Sequence, residues 1–262
     1  MSSRDMLQHS LICKGCWQQM HVPIPLRGVL SLPFRVFGIK PSRMNPNTCT
    51  VCELMFTKVM RSRKITIDAT VLFADLRDYT TLSQSQSPEA ISALLDAFYD
   101  EAADAIWEHD GLLNKTIGDA VMAVFNFPIR QQDHVAQALK TARAIQARWS
   151  ARAKQLGEEL GLDVVSSGIG IGIHCGDVSF GEFGRSHKDL TAIGNVVNTA
   201  SRAQSAAKAG EILLTQAVHD RLAPQAGTFR ADAYQLKGFA EPMTLYAPVG
   251  VPAVDAPVQA LH

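Results

Sequence analysis

An α+β fold built on an antiparallel sheet is predicted for most of this 262-residue chain, on three observations. From Thr70 onward, apolar runs of strand length alternate with two long segments of helical spacing. Two of the strands are separated only by Gly118-Asp119, the signature of a tight hairpin. The order of elements is strand, helix, strand, strand, helix, strand, which packs helices on one face of a sheet in the ferredoxin-like βαββαβ manner.

Each element has a local reason. Thr70–Leu76 is a continuous apolar run, as in a strand buried on both faces. Ser87 followed by Pro88 is an N-cap and first helical position, and Ile91, Leu94, Leu95, Phe98, Ala102, Ala105 and Ile106 continue the helix until Gly111. Leu112–Ile117 and Ala120–Phe125 are the hairpin strands. Asp133 opens a second long helix with Val135, Leu139, Ala142, Ile145, Trp149 and Leu156 on one face. Ile169, Ile171 and Ile173 alternate with glycines as a period-two strand, and Val178–Phe183 is expected to return beside it as a hairpin partner. A strand at Leu190–Ile193, a helix at Asn195–Ala207, a strand at Ile212–Leu214, a helix at Ala217–Leu222, and strands near Phe229–Leu236 and Met243–Tyr246 follow.

With 47% apolar and 19% charged residues, the composition is that of a globular protein and excludes disordered and fibrous classes. The zero net charge hides an asymmetry. Residues 1–64 hold ten Lys/Arg against two Asp/Glu, and residues 65–262 hold fifteen against twenty-three. Three units are expected: a basic Cys-rich module (1–64), the α+β domain (65–250) and a flexible Pro/Ala/Val tail (251–262). The most apolar early run, Val22–Ile39, is interrupted by Pro23, Pro25, Arg27, Pro33 and Arg35, so no transmembrane segment is expected and a cytoplasmic location is.

Disulfides are rare in that compartment, so the five cysteines call for another explanation. Cys13-x-x-Cys16 and Cys49-x-x-Cys52 form two knuckles of a tetrathiolate site, for which a structural Zn²⁺ is expected. An iron–sulfur cluster, a redox-active dithiol and unliganded cysteines also fit the spacing. His9 and His21 read as surface residues. The basic charge fits nucleic acid, an anionic membrane surface, or docking on the acidic remainder. No aromatic-interleaved or recognition-helix pattern favours nucleic acid, and a regulatory or dimer-organising role is preferred.

The chemistry is carried by two apolar strands that each run into an aspartate, in VLFADLRDYT (71–80) and NKTIGDAVMAVF (114–125). A carboxylate at the end of a buried strand is unfavourable unless a cation meets it. The fold expected would bring Asp119 at the hairpin tip beside Asp75 at the strand end, and paired carboxylates suit hard divalent cations. Asn198 and Arg202, four apart on a helix, project from one face.

These segments resemble the class III nucleotidyl cyclases, adenylyl and guanylyl, in the family's order from about Thr70 to Tyr246. The resemblance implies two Mg²⁺ or Mn²⁺ ions per site on Asp75, the Leu76 carbonyl and Asp119. It makes Lys115 and Thr191 the readers of the purine. Asn198 and Arg202 in LTAIGNVVNTASR (190–202) become the transition-state residues, and Lys237 in Gln235-Leu236-Lys237-Gly238 the contact to the triphosphate. A Lys/Thr pair gives adenine N1 a donor and its amino group an acceptor, whereas guanine presents the opposite pattern and the family's guanylyl cyclases typically carry a Glu and a small residue there. The implied reaction is therefore ATP to 3′,5′-cyclic AMP and pyrophosphate, in intracellular signal transduction. In the family the Thr variant is associated with bicarbonate stimulation; the upstream activator is otherwise unknown. The resemblance also implies a homodimer, with metal aspartates from one chain and base-reading and transition-state residues from the other. Asp78 stands where the family usually has Gly, Asn195 where Asp is common, and Asp177 where some members place an Arg. The rival readings are a catalytically silent cyclase-like sensor or interaction module, a guanylate cyclase, and a zinc-dependent nucleic-acid-binding regulator.

Overall fold

A computed structural model describes residues 9–160, 168–184, 189–222 and 227–250. The tail expected at 251–262 lies outside the described residues. The amino-terminal module contains α1 (Lys14–Met20), a 3₁₀ turn (Val29–Ser31), α2 (Leu32–Val36) and α3 (Thr50–Ser62). The rest runs β1 (Ile65–Leu76), α4 (Tyr79–Ser85), α5 (Pro88–Glu108), β2 (Leu112–Ile117), β3 (Ala120–Phe125), α6 (His134–Leu160), β4 (Ile169–Phe183), β5 (Asp189–Ile193), α7 (Asn195–Ala206), β6 (Ile212–Thr215), α8 (Gln216–Arg221), β7 (Thr228–Tyr234) and β8 (Met243–Val249).

One mixed sheet holds these strands in the order β2-β3-β1-β4-β6-β8-β7, with β5 paired to β4. Its first four strands have the ferredoxin-like order. The Ser87 hydroxyl accepts from the Ala90 N–H, so the expected cap of α5 is formed. The β2–β3 hairpin has the bounds its Gly-Asp turn predicts.

Three expectations are corrected. Val178–Phe183 does not return as a hairpin partner. It continues β4, which pairs with β1 from Leu76↔Ile169 to Ile65↔Phe180. Gly176 sits within this strand at φ 149 and does not turn the chain. Strand β1 correspondingly begins at Ile65, five residues before the expected start at Thr70. Helices also cover both faces. On the first, Leu94, Phe98 and Ile106 of α5 and Ile145 and Trp149 of α6 pack over Leu72, Ala74, Val121 and Ile171. On the second, Val196 and Ala200 of α7 and Met60 of α3 pack over Val71, Phe73, Met122 and Val124. This two-sided burial is the reason β1 reads as an unbroken apolar run. Phe98, fully buried with its ring 5.7 Å from Trp149 in edge-on contact, contributes about 2–3 kcal/mol by burial alone.

Helix α7 can lie against β4 because Gly172 has no side chain: a Cβ there would stand 2.0 Å from the Gln204 nitrogen. The Cys-rich module is docked on the sheet domain. Asn45 donates to the Gly111 carbonyl at 2.9 Å, Asn47 to Trp107 O at 2.9 Å and Asp110 Oδ1 at 2.8 Å, and the Trp107 indole to Met44 O at 3.0 Å. Lys14 pairs with Asp110. On the other side the Phe56 ring of α3 packs at a tilt against Phe127 and Phe180, at 4.8 and 5.8 Å between centroids. Of the three readings of the basic module, docking on the acidic remainder is therefore seen.

Candidate active site

The β1–β3 register sets Asp75 opposite Ala120, and the Leu76 N–H donates to the Asp119 carbonyl at 3.1 Å. The hairpin tip thus lies beside the end of β1, and the two aspartates are neighbours. Gly118 takes φ 59 to make the turn, and the Tyr99 hydroxyl donates to its carbonyl, pinning the tip to α5. The Asp75 carboxyl is pushed up to about 6, first by burial and then by the negative charge of Asp119, with Arg77 and the Gln204 amide acting in the opposite sense. Ionising Asp75 in the folded chain is thus disfavoured, and a divalent cation between the two carboxylates would offset both causes. Two carboxylates and the Leu76 carbonyl are hard oxygen donors, so these residues fit Mg²⁺ or Mn²⁺.

Arg77 was not expected here, although it stands in the same motif as Asp75. Its guanidinium lies 3.9 Å from Asp75 and donates to the Gln204 carbonyl, and its N–H donates to Gly168 O at 2.9 Å. It occupies the space over Gly170, where a Cβ would approach it to 2.2 Å. Arg77 thus ties the carboxylate end of β1 to α7.

The residues proposed for the purine meet where β5 comes against β2. Thr191 is buried and donates its hydroxyl proton to Asn114 Oδ1 at 2.7 Å, while Asn114 Nδ2 donates to Leu190 O at 2.9 Å. Lys115 pairs with Asp189. Neither Asn114 nor Asp189 was expected. Asn114 could have been suspected from its place directly before Lys115, and Asp189 from its place two residues before Thr191.

Asn198 and Arg202 lie on α7 opposite its buried face of Val196, Thr199, Ala200 and Ala203. Asn198 is exposed and Arg202 half-buried, and among the described residues neither side chain has a hydrogen-bond or ion-pair partner. Among the described residues no hydrogen bond or ion pair joins either side chain to Asp75 or Asp119. Lys237 is exposed in a turn held by Phe239 N–H to Leu236 O at 3.1 Å, next to the edge strand β7 and far from β2. The aspartates come together, and so do the two purine-site residues. Asn198, Arg202 and Lys237 make no hydrogen bond or ion pair with the aspartates among the described residues.

The departures from the family pattern have structural correlates. Asp78 has φ 62, a left-handed conformation that glycine adopts freely and Asp tolerates. Asp177 is exposed and pairs in register with Asp68, whereas Asp75 pairs with Gly170, so Asp177 sits well along β4 from the carboxylates. Arg221, bonded to Asp68 at 2.8 and 2.9 Å, supplies the positive charge there. His174 bonds to Thr215 at 2.7 Å and Cys175 to Ala217 O at 3.3 Å, as strand residues packed in the core.

Cys13, Cys16, Cys49 and Cys52 bring four sulfurs within 4.8 Å of one another. The closest separations are 3.3 Å for Cys16–Cys52 and 3.6 Å for Cys13–Cys52 and Cys16–Cys49. Each knuckle caps a helix: the Cys16 N–H donates to Cys13 Sγ at 3.4 Å at the start of α1, and the Cys52 N–H to Cys49 Sγ at 3.4 Å at the start of α3. Hydrogen bonds from Cys13 and Cys52 hold the Cys49 thiol low, whereas burial raises Cys16. A single tetrahedral ion with metal–sulfur bonds near 2.3 Å sets its sulfurs about 3.8 Å apart, so this donor set fits one soft cation.

Residues 62–248 match the family described as adenylate and guanylate cyclase catalytic domain. Adenylate cyclase 1 of Rhizobium meliloti is 33% identical over 141 residues, 52% of this chain and 20% of that protein. The adenylate cyclase of Anabaena cylindrica is 34% identical over 183 residues, 68% of this chain and 36% of that protein. This chain thus spans about a fifth to a third of the length of these relatives. The crystal structure of the adenylyl cyclase CyaB from P. aeruginosa superposes with a TM-score of 0.68 at 29% identity, covering 73% of this chain and 98% of that one. With the aspartate-bearing hairpin in place and the family matched across most of the sequence, the chain belongs to the adenylate and guanylate cyclase catalytic-domain family.

Proposed function

We propose that this chain is an adenylate cyclase converting ATP to 3′,5′-cyclic AMP and pyrophosphate at the interface of a homodimer, within the cytoplasm and in intracellular signalling. The observation that carries the choice of purine is the junction of β2 and β5. Asn114 Oδ1 accepts the hydrogen bond from the Thr191 hydroxyl, which leaves the Thr191 oxygen lone pairs as an acceptor, and the Lys115 ammonium is a donor on the neighbouring strand. An acceptor beside a donor matches the amino group and N1 of adenine.

The other residues have roles their chemistry supports. Asn198 bonds to the ribose and orients the 3′-hydroxyl. The Arg202 fork holds the negative charge that grows on the α-phosphate, and Lys237 holds the triphosphate. The 3′-oxygen forms a bond to the α-phosphorus, the bond to the β-phosphate oxygen breaks, pyrophosphate leaves, and the hydroxyl proton passes to solvent. Two Mg²⁺ or Mn²⁺ ions on Asp75, Asp119 and the Leu76 carbonyl would supply charge neutralisation and activation of the attacking oxygen. Because the Asn198 and Arg202 side chains are unpartnered among the described residues and bond to neither aspartate, each site takes them from the second chain. Incubation with ATP or GTP and Mn²⁺ tests the reading. Wild type is expected to make cyclic AMP in preference to cyclic GMP, and Asp119→Ala to lose on the order of a thousandfold in rate. Cyclic GMP as the main product would overturn the choice of purine, and neither product would favour a silent domain.

The cysteine cluster is proposed to hold one structural Zn²⁺. Its sulfurs are spaced for a single ion and too tightly for a polynuclear iron–sulfur cluster. Elemental analysis of the purified chain is expected to give one zinc per chain, and Cys49→Ser to lose it together with the docking of the module on α5. Iron in place of zinc, or full docking without metal, would contradict this.

A further inference from the structure

We propose that residues 28–38, the apolar tip of the Cys-rich module, insert into an anionic membrane surface. The tip carries Val29, Leu30, Leu32, Val36 and Phe37, between 57% and 84% exposed. A group of large exposed aliphatic and aromatic side chains on one small module is rare on a protein surface and marks a contact site.

The tip is built to stay exposed. Its backbone bonds close on themselves: Ser31 donates to Gly28 O through both N–H and hydroxyl, at 3.1 and 2.7 Å, and the Ile39 N–H donates to Phe34 O at 2.9 Å. Its base is anchored by Leu26 N–H to Leu11 O at 2.8 Å and by the buried Arg27, which donates to Ser10 O at 2.6 Å and Pro46 O at 3.2 Å.

Charge chooses the occupant. Residues 6–52 contain no Asp or Glu, and Arg35, Lys40 and Arg43 are exposed on and beside the tip. Lys14 in the same module is paired with Asp110, whereas Lys40 and Arg43 are exposed beside the tip. Apolar side chains at the point with cations behind them match acyl chains beneath anionic headgroups. Among the described residues no helix is long and apolar enough to cross a membrane, so attachment here would be to one leaflet.

Flotation of the full chain with vesicles tests this. The chain is expected to float with phosphatidylcholine vesicles that contain phosphatidylserine, and much less with phosphatidylcholine alone or in high salt. Replacing both Val36→Ser and Phe37→Ser should reduce flotation at least about tenfold, because two large apolar groups lose their burial. Lys40→Gln with Arg43→Gln should reduce binding only to the vesicles containing phosphatidylserine. An unchanged melting temperature in both variants shows that the fold is intact. Three results overturn the proposal: no flotation of wild type with either vesicle, flotation that survives the double serine change, or a double serine change that alters oligomeric mass alone, which would make the tip a protein contact.

Discussion

Asp119→Ala and Arg202→Ala chains, each inactive alone, are expected to regain about a quarter of wild-type cyclase activity when co-expressed. The expectation rests on where the side chains sit. Asp75 and Asp119 are joined through the Leu76–Asp119 backbone bond, while Asn198 and Arg202 project from the outer side of α7 with no partner among the described residues. If two chains pair with the metal carboxylates of one facing the α7 of the other, a mixed dimer has one site carrying both substitutions and one carrying neither. Random pairing makes about half of the dimers mixed, each with one working site of two, hence the quarter. Separate affinity tags on the two chains confirm that mixed dimers form. Mixed dimers that remain as inactive as the single variants would mean that each chain supplies a complete site by itself.

How much of this site could be read beforehand followed the range of the forces involved. The β2–β3 hairpin, with Asp119 at its tip, was legible because Gly118-Asp119 is a local turn flanked by apolar strands. The cap of α5 was legible for the same reason. The course of β4 was not. Gly176-Asp177 is good turn chemistry, but β1 pairs with β4 along its whole length, and that pairing keeps the strand straight through the glycine. The supporting residues were hidden by distance in sequence. Arg77 reaches Gln204 across 127 positions, Thr191 reaches Asn114 across 77, and Lys115 reaches Asp189 across 74. No periodicity or spacing encodes such contacts. They follow only once the sheet has brought β2, β5 and α7 together. The four cysteines were an exception among distant residues, because thiolate pairs at knuckle spacing carry their own long-range signal.

Gly172→Ala is expected to destabilise the protein by about 3 kcal/mol and to lower activity further than the loss of folded protein explains. A Cβ at this position would lie 2.0 Å from the Gln204 nitrogen, 2.5 Å from the Ala200 carbonyl oxygen and 2.6 Å from the Gln204 Cα. All three are backbone atoms of α7, so no rotamer change relieves the clash. The helix has to move away from β4, which opens the packing of Ala200 on Val71 and Phe73 and of Ala203 on Leu213. For a domain of this size the melting temperature should fall by roughly 6–12 °C. In the proposed dimer the same movement would carry Asn198 and Arg202 out of register with the carboxylates of the second chain, and a misplacement of about 1 Å can reduce a rate on the order of a hundredfold. Gly170→Ala is the control. Its Cβ would meet the Arg77 guanidinium, at 2.2 Å from Nη2, which is the far end of a flexible side chain and can swing aside. Its stability loss should be about 1 kcal/mol or less, with activity affected through the Arg77–Asp75 contact and not through α7. Equal melting temperatures for the two variants would mean that α7 is not held against β4 by this close approach, and that the position of Asn198 and Arg202 is fixed from somewhere else.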